Sequence, residues 1–301
     1  SNEGLVLPSL NKLVIVPPNL DGALAWEYPA VHRITGNASL GANKLVYFGG
    51  GGDKKVHAVD IKTGKSKWTF LGKNNFEVAP AICQQGDIYI GSKSGTFYAL
   101  RGDTGDVKWT YTNEKILQIG GGSFEGAPNP PHEAIADERG WLYFTCYPKF
   151  RDTGVYALDA KNGDFKWFSG GFGQNISPAV LGTDETLYVN AGSSLTAINR
   201  NDGKVKWRTE VGYGLSSCVI GNDGMVYCSS GDRYIYAVDP KEGAIKWKVR
   251  TGDTIRQCHP LMDNAGILFA GSNDGRLYAI ATSSTGPAKS PWPMYGQNAQ
   301  R

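Results

Sequence analysis

The chain lacks most of the features that would make it something other than an all-β repeat protein. No apolar stretch approaches the ~20 residues that a membrane-spanning helix needs, and no run of like charge exceeds a few residues. A formal net charge of +3 over 301 residues gives neither nucleic acid nor an anionic membrane a handle as main partner. Five cysteines (Cys83, Cys146, Cys218, Cys228, Cys258) are scattered, none adjacent and none in CxxC spacing, which excludes a disulfide scaffold and a thiolate metal site. Cys218 and Cys228 flank the turn IGNDG and can face each other across a hairpin as two small buried thiols. There is no GxSxG elbow for a nucleophilic serine, and helical periodicity is absent throughout. The chain opens SNEG, without methionine or a signal-peptide hydrophobic region, and so reads as a processed or trimmed start.

What is abundant is glycine, tyrosine and tryptophan: 40, 15 and 8 residues, a composition that fits many short strands joined by tight turns. They are arranged in a repeat. AVDIKTGKSKW (58–68), ALRGDTGDVKW (99–109), ALDAKNGDFKW (157–167), AINRNDGKVKW (197–207) and AVDPKEGAIKW (237–247) are five copies of one string. A shorter copy ends at Trp26 and a stretched one at Trp292. A unit repeated at this period decides the architecture before any single residue does. The glycine permits a positive φ in the turn, Asp, Asn or Thr supplies turn hydrogen bonds, and the alanine leaves room for an indole whose N–H needs one partner.

Each unit reads as four antiparallel strands. A short first strand (VAPAI, ISPAV) is followed by an aromatic–aliphatic one (DIYIGS, TLYVNA, MVYCSS, ILFAGS). A third strand ends in the motif alanine, and a fourth carries the tryptophan. One such sheet cannot cover both of its faces; packing copies radially around an axis does, and leaves only short edges. The tryptophan spacings are 42, 41, 58, 40, 40 and 45, which predicts one domain over residues 1–301. Its units would end near Trp26, Trp68, Trp109, Trp167, Trp207, Trp247 and Trp292. Seven blades are expected, with eight as the alternative and an irregular seam where the first unit lacks its first strand. The 58-residue interval holds the Gly- and Pro-rich loop 118–134, a candidate for function because long loops in compact repeats carry it disproportionately.

With its A-x-D-x-x-T-G-x-x-x-W string headed by YAL or YAV, the repeat resembles the tryptophan-docking motif of the pyrroloquinoline-quinone-like (quinoprotein) β-propeller family. The resemblance covers essentially the whole chain, and SPWPMYGQNAQR is similar to a terminal segment of such repeat proteins. It implies an all-β propeller of four-stranded antiparallel blades. It leaves open whether the member is a quinone-dependent dehydrogenase or a non-enzymatic scaffold. The enzymes of the family clamp the quinone with adjacent cysteines and a Ca²⁺ held by Glu and Asn, and this chain offers no adjacent cysteines. DTGD (103–106) and SNDG (272–275) lack the length and closing glutamate of a calcium loop and read as turns. The expectation is therefore no cofactor, with quinone and Ca²⁺ only in the dehydrogenase-like alternative.

Aligning the first strands brings Glu77, Asn175 and Arg256 into one register, and His132, Glu133, Ser177, Ser216, Cys258 and His259 into the registers that follow. Glu77, His132, Glu133, Asn175, Arg256 and His259 are the candidate ligand or partner residues, because polar groups converging from several units build a pocket. No catalytic residue and no metal site is expected; Arg256 with a glutamate would also serve as a plain ion pair. Trp68, Trp109, Trp167, Trp207 and Trp247 are structural. The lysine before each of them reads as protection of an outer edge, and the sequons at Asn37 and Asn175 fall in inner strands. The reading is a monomeric, non-catalytic binding module of a bacterial periplasm or cell surface, presenting loop 118–134 to a protein or cell-envelope partner. A small-molecule sensor using the central channel is the alternative.

Overall fold

The computed structural model describes residues 5–9, 12–16, 26–30, 33–34, 36–83, 85–112, 134–146, 153–173, 176–214, 216–255 and 258–295. These form 26 strands, all paired antiparallel, and no helix. No helix among them is long and apolar enough to cross a membrane. The chain divides into two compact units, one of residues 1–134 with 160–164 and the other of residues 135–159 with 165–301.

Three sheets make up the first unit. They are β1 (Leu5–Ser9), β2 (Lys12–Val16) and β3 (Trp26–Pro29); then β4 (Ser39–Leu40), β5 (Leu45–Gly49), β6 (Lys55–Asp60) and β7 (Ser66–Leu71); then β8 (Ala81–Ile82), β9 (Ile88–Gly91), β10 (Thr96–Leu100) and β11 (Val107–Thr112). The second unit continues with β12 (Ile135–Ala136), β13 (Trp141–Cys146), β14 (Gly154–Asp159) and β15 (Phe165–Gly170). A fifth sheet follows in β16 (Val180–Leu181), β17 (Thr186–Ala191), β18 (Ser194–Asn199) and β19 (Val205–Glu210). The sixth is β20 (Cys218–Ile220), β21 (Val226–Ser229), β22 (Tyr234–Val238) and β23 (Ile245–Arg250), and the seventh is β24 (Leu261–Met262), β25 (Ile267–Gly271) and β26 (Leu277–Ala281).

The motif alanine sits directly opposite the motif tryptophan in all five complete sheets: Ala58 with Trp68, Ala99 with Trp109, Ala157 with Trp167, Ala197 with Trp207 and Ala237 with Trp247. Immediately beyond it the register shifts, because each motif lysine is the extra residue of a β-bulge. So the lysines do more than charge an edge: Lys166 reaches Asp159 and Lys246 reaches Asp239, each at 3.1 Å, tying the bulge to its own turn.

Cores lie between successive sheets of a unit. Tyr47, Val56 and Ala58 pack with Ile88, Ile90, Tyr98 and Leu100 around Phe76 in the first unit. In the second, Ile235 and Ala237 pack with Met262, Leu268 and Ala270. Burying one large aliphatic side chain stabilises by about 1.5–3 kcal/mol, so these inter-sheet layers outweigh any surface pair. Cys218 and Cys228 face each other across β20 and β21 as expected, both fully buried and both free thiols.

The end of the chain departs from the expected repeat. Trp292 is on no outer strand. The stretch around it lies along the first strands of two sheets: Leu181 N–H donates to the Trp292 carbonyl, Ile220 N–H to Pro293 and Ala288 N–H to Ile220, each at 2.8 Å. Met294 bridges Val219. Three prolines, at 287, 291 and 293, remove the N–H groups an outer-strand ladder needs. The 45-residue spacing therefore imitates a motif copy without forming one.

Candidate functional site

In the second unit the first-strand registers gather polar side chains where the rest of the fold is apolar. The residues just before β16 and β20 carry Ser177, Ser216 and Ser217, and residues 258–259 before β24 carry Cys258 and His259. Ser177 N–H donates to the Asn190 carbonyl and Asn190 N–H to Ser177 Oγ, at 2.8 and 3.0 Å. Asn190 Nδ2 donates to the Ser216 carbonyl at 2.6 Å, and Ser217 Oγ to the Pro178 carbonyl at 3.0 Å. Ser217 N–H donates to His259 Nδ1 at 2.8 Å, and the His259 ring stacks on Tyr295 with centroids 3.9 Å apart.

Two atoms here are buried without a hydrogen-bond partner among the described residues, Asn190 Oδ1 and Ser216 Oγ. A buried polar atom left unpaired costs about 1–3 kcal/mol, so the pair marks the spot where a small polar group would be gained most. The His259 contact fixes its chemistry as well. A ring nitrogen that accepts an N–H bond carries no proton, so in this contact the hydrogen of the neutral ring sits on Nε2.

Of the residues expected from sequence, His259 is thus placed among partners. Glu77 lies in the first unit and is ion-paired with Lys93 at 2.9 Å. His132, Glu133, Asn175 and Arg256 lie outside the described residues, as does the loop 118–133. Three members of the cluster, Ser217, Asn190 and Tyr295, were not singled out from sequence. Asn190 occupies a register that holds Gly49, Gly91, Ser229 and Gly271 in other sheets, so an amide there was a legible signal. Tyr295 had none, because its position depends on the tail docking just described. No group of three or more His, Cys, Asp or Glu side chains close enough to hold a metal occurs among the described residues.

Elsewhere polar groups are spent on the scaffold. Five of the motif tryptophans donate the indole N–H to the turn of the following sheet: Trp26 to Ile61 (2.6 Å), Trp68 to Gly102 (3.0 Å) and Trp109 to Ala160 (2.9 Å) in the first unit. In the second, Trp167 donates to Arg200 at 3.1 Å and Trp207 to Pro240 at 2.8 Å. The second-strand tyrosine packs beside the tryptophan in each sheet, centroids 5.7–5.9 Å apart. Four-stranded sheets linked by tryptophan-to-turn bonds define the PQQ-like β-propeller repeat class.

The comparisons with known proteins agree with that class. A family model described as outer membrane protein assembly factor BamB matches residues 11–167 and 151–286. The chain belongs to this family. It is 26% identical over 245 residues to the outer membrane protein assembly factor BamB of Moranella endobia (strain PCIT), covering 75% of this chain and 59% of that protein. It is also 21% identical over 198 residues to a tetrathionate hydrolase of Acidithiobacillus ferrooxidans, covering 65% of this chain and 33% of that one. The chain therefore spans less than two thirds of the length of these relatives. Among solved structures, BamB from Moraxella catarrhalis shares the fold, with a TM-score of 0.69 and 18% identity over 95% of this chain and 87% of that one.

Proposed function

We propose that the chain is a non-catalytic scaffold that binds protein partners during outer membrane protein assembly. It works as a monomer on the periplasmic side of a bacterial envelope, with no bound cofactor. Seven blades in one domain remain our reading of its architecture. The observation that carries the binding role is the Ser217-to-His259 bond: it takes up one ring nitrogen and ties the first-strand cluster together, an arrangement suited to recognition. Family membership supports the same reading. The partner-facing element is loop 118–134. The test is a pull-down from a Gram-negative envelope extract with the intact chain and with loop 118–134 deleted; equal capture by both would remove the loop from the proposal. Turnover of an alcohol or sugar after addition of quinone and Ca²⁺ would overturn the non-catalytic reading.

One observation favours a second reading, a small polar ligand at the cluster. Asn190 Oδ1 and Ser216 Oγ are both buried and unpartnered among the described residues. A thermal-shift screen of sugars, amides and the quinone itself, repeated on Asn190→Ala, tests it. A ligand whose shift survives that substitution binds somewhere else.

A further inference from the structure

Among the described residues, strand β26 is apolar and has no partner on its outer edge. In the five complete sheets the third strand is covered on its outer side by the tryptophan-bearing fourth strand. In the seventh sheet the described strands stop at β26, and no described strand pairs with its outer edge. The contrast with β22, in the same unit, is position by position. Phe269 faces Ala279 as Tyr227 faces Ala237, so Leu277 is the counterpart of Ile235. Ile235 is fully buried, whereas Leu277 is 69% exposed and Ala279 and Ala281 are exposed with it. The remaining geometry of the repeat is intact: Tyr278 donates to Asp274 at 2.7 Å, as Tyr236 does to Asp232.

Two further facts bear on what covers this edge. The tryptophan spaced to close the sheet, Trp292, is buried with its backbone engaged by Leu181, so it cannot return to β26. The segment LYAIA carries no charge, proline or bulge, the devices by which natural sheets protect a free edge. The five outer strands of this same chain define what fits: an antiparallel strand with a large aromatic residue opposite the motif alanine.

We propose that β26 takes an extended strand donated by a partner polypeptide, running antiparallel, with an aromatic side chain seated opposite Ala279. The site rests on the scaffold reading for the source of the strand, but its register comes only from the sheets. The probe is a labelled peptide GAIKWKVR, the sequence of residues 243–250 and the chain's own fourth strand. The intact 301-residue chain should bind it saturably. Its Trp→Ala form, and the chain carrying Ala279→Lys at this exposed site, should bind at least about tenfold more weakly. Ala279→Cys should form a disulfide with a peptide carrying cysteine in place of tryptophan, and not with one carrying it at the adjacent lysine.

No binding, binding indifferent to Ala279→Lys, or cross-linking without register overturns the proposal. So does dimerisation that Ala279→Lys abolishes, since the occupant would then be a second copy. A longer form of the protein that protects β26 from amide exchange by itself also overturns it. Envelope capture that persists in Ala279→Lys, together with lost peptide binding, leaves the scaffold reading standing and assigns its partner to another surface. An intact chain that binds the peptide but captures nothing from the envelope extract overturns the scaffold reading and leaves the strand site.

Discussion

Trp207 donates its indole N–H to the Pro240 carbonyl, 2.8 Å away, across the gap between two sheets. The acceptor is the residue after the motif Asp in the next turn, and the glycine of that turn lies flat against the same ring. Trp26, Trp68, Trp109, Trp167 and Trp207, which all make this bond, therefore belong energetically to two sheets, closing their own and clamping the next. Replacing Trp207 separates the two contributions. Trp207→Phe keeps most of the apolar contact but strands the carbonyl, and should lower stability by about 1–2 kcal/mol. Trp207→Ala also opens a cavity and should cost about 3–5 kcal/mol. Urea denaturation of the two variants checks the ordering.

The turn glycines differ in what surrounds them, and two in the second unit make a controlled pair. Gly243 and Gly275 have nearly the same backbone, φ of +73° and +79°. A Cβ on Gly243 would fall 2.5 Å from Thr209 Oγ1 and 2.6 Å from Trp207 Cε3, whereas one on Gly275 would meet nothing within 4 Å. Gly275→Ala should therefore cost only the left-handed backbone penalty, about 1 kcal/mol. Gly243→Ala should cost about 1–2 kcal/mol more, because the indole must move as well. Thermal midpoints of the two variants should differ accordingly.

His57 stands where Tyr98, Tyr156, Tyr236 and Tyr278 stand in other sheets, one residue before the motif alanine. It is buried, stacked on Phe48 at 4.8 Å, with Nε2 2.8 Å from Asp53. Burial pulls its pKa below 6.5, and the Asp53 carboxylate only partly offsets this. The unfolded chain then binds a proton that the folded chain refuses. Stability should be full above about pH 6.5, decline as pH falls below it, and level off beneath the folded pKa. His57→Tyr should fold, since Asp232 and Asp274 already accept from tyrosine in this register. It should also flatten the slope of stability between pH 5 and 7, and an unchanged slope would assign it to other groups.

These residues show what was legible and why. The motif string announced the sheets because its turn glycine, alanine and tryptophan act within eleven residues or on the adjacent unit. That the indole bond crosses to the next turn, and that each lysine is a bulge, are consequences of register, which the string does not encode. Trp292 has the spacing of a motif copy, but the three prolines around it deny an outer strand its ladder of N–H groups. At the candidate site, Ser177, Ser216, Cys258 and His259 fell into line from the first-strand alignment alone. Tyr295 reaches His259 only because the tail docks along β16 and β20, a tertiary event with no local signature.

Asp137 is the most heavily engaged carboxylate in the second unit, and its removal should be costly for a reason its neighbours make explicit. Its side chain is fully buried; Oδ2 accepts from Arg139 Nε at 2.8 Å and Tyr143 Oη at 2.9 Å, and Oδ1 from Trp141 N–H at 2.9 Å. Arg200, itself nearly buried, stands 3.5 Å away and also reaches Glu138 at 2.8 Å, holding that glutamate's pKa below its ordinary value. Asp137→Ala leaves two guanidinium groups, a phenol and the Arg139 and Trp141 amides facing an apolar hole, and should lower stability by about 3–5 kcal/mol. Asp137→Asn keeps the shape and one acceptor, so it should cost about half as much. Arg200→Met should cost least, because Arg139 still pairs with Asp137 and Trp167 bonds only the backbone carbonyl at 200. Chemical denaturation of the three variants at pH 7 gives the order directly. An Arg200→Met protein less stable than Asp137→Ala would mean that the arginine, and not the aspartate, organises this corner of the fold.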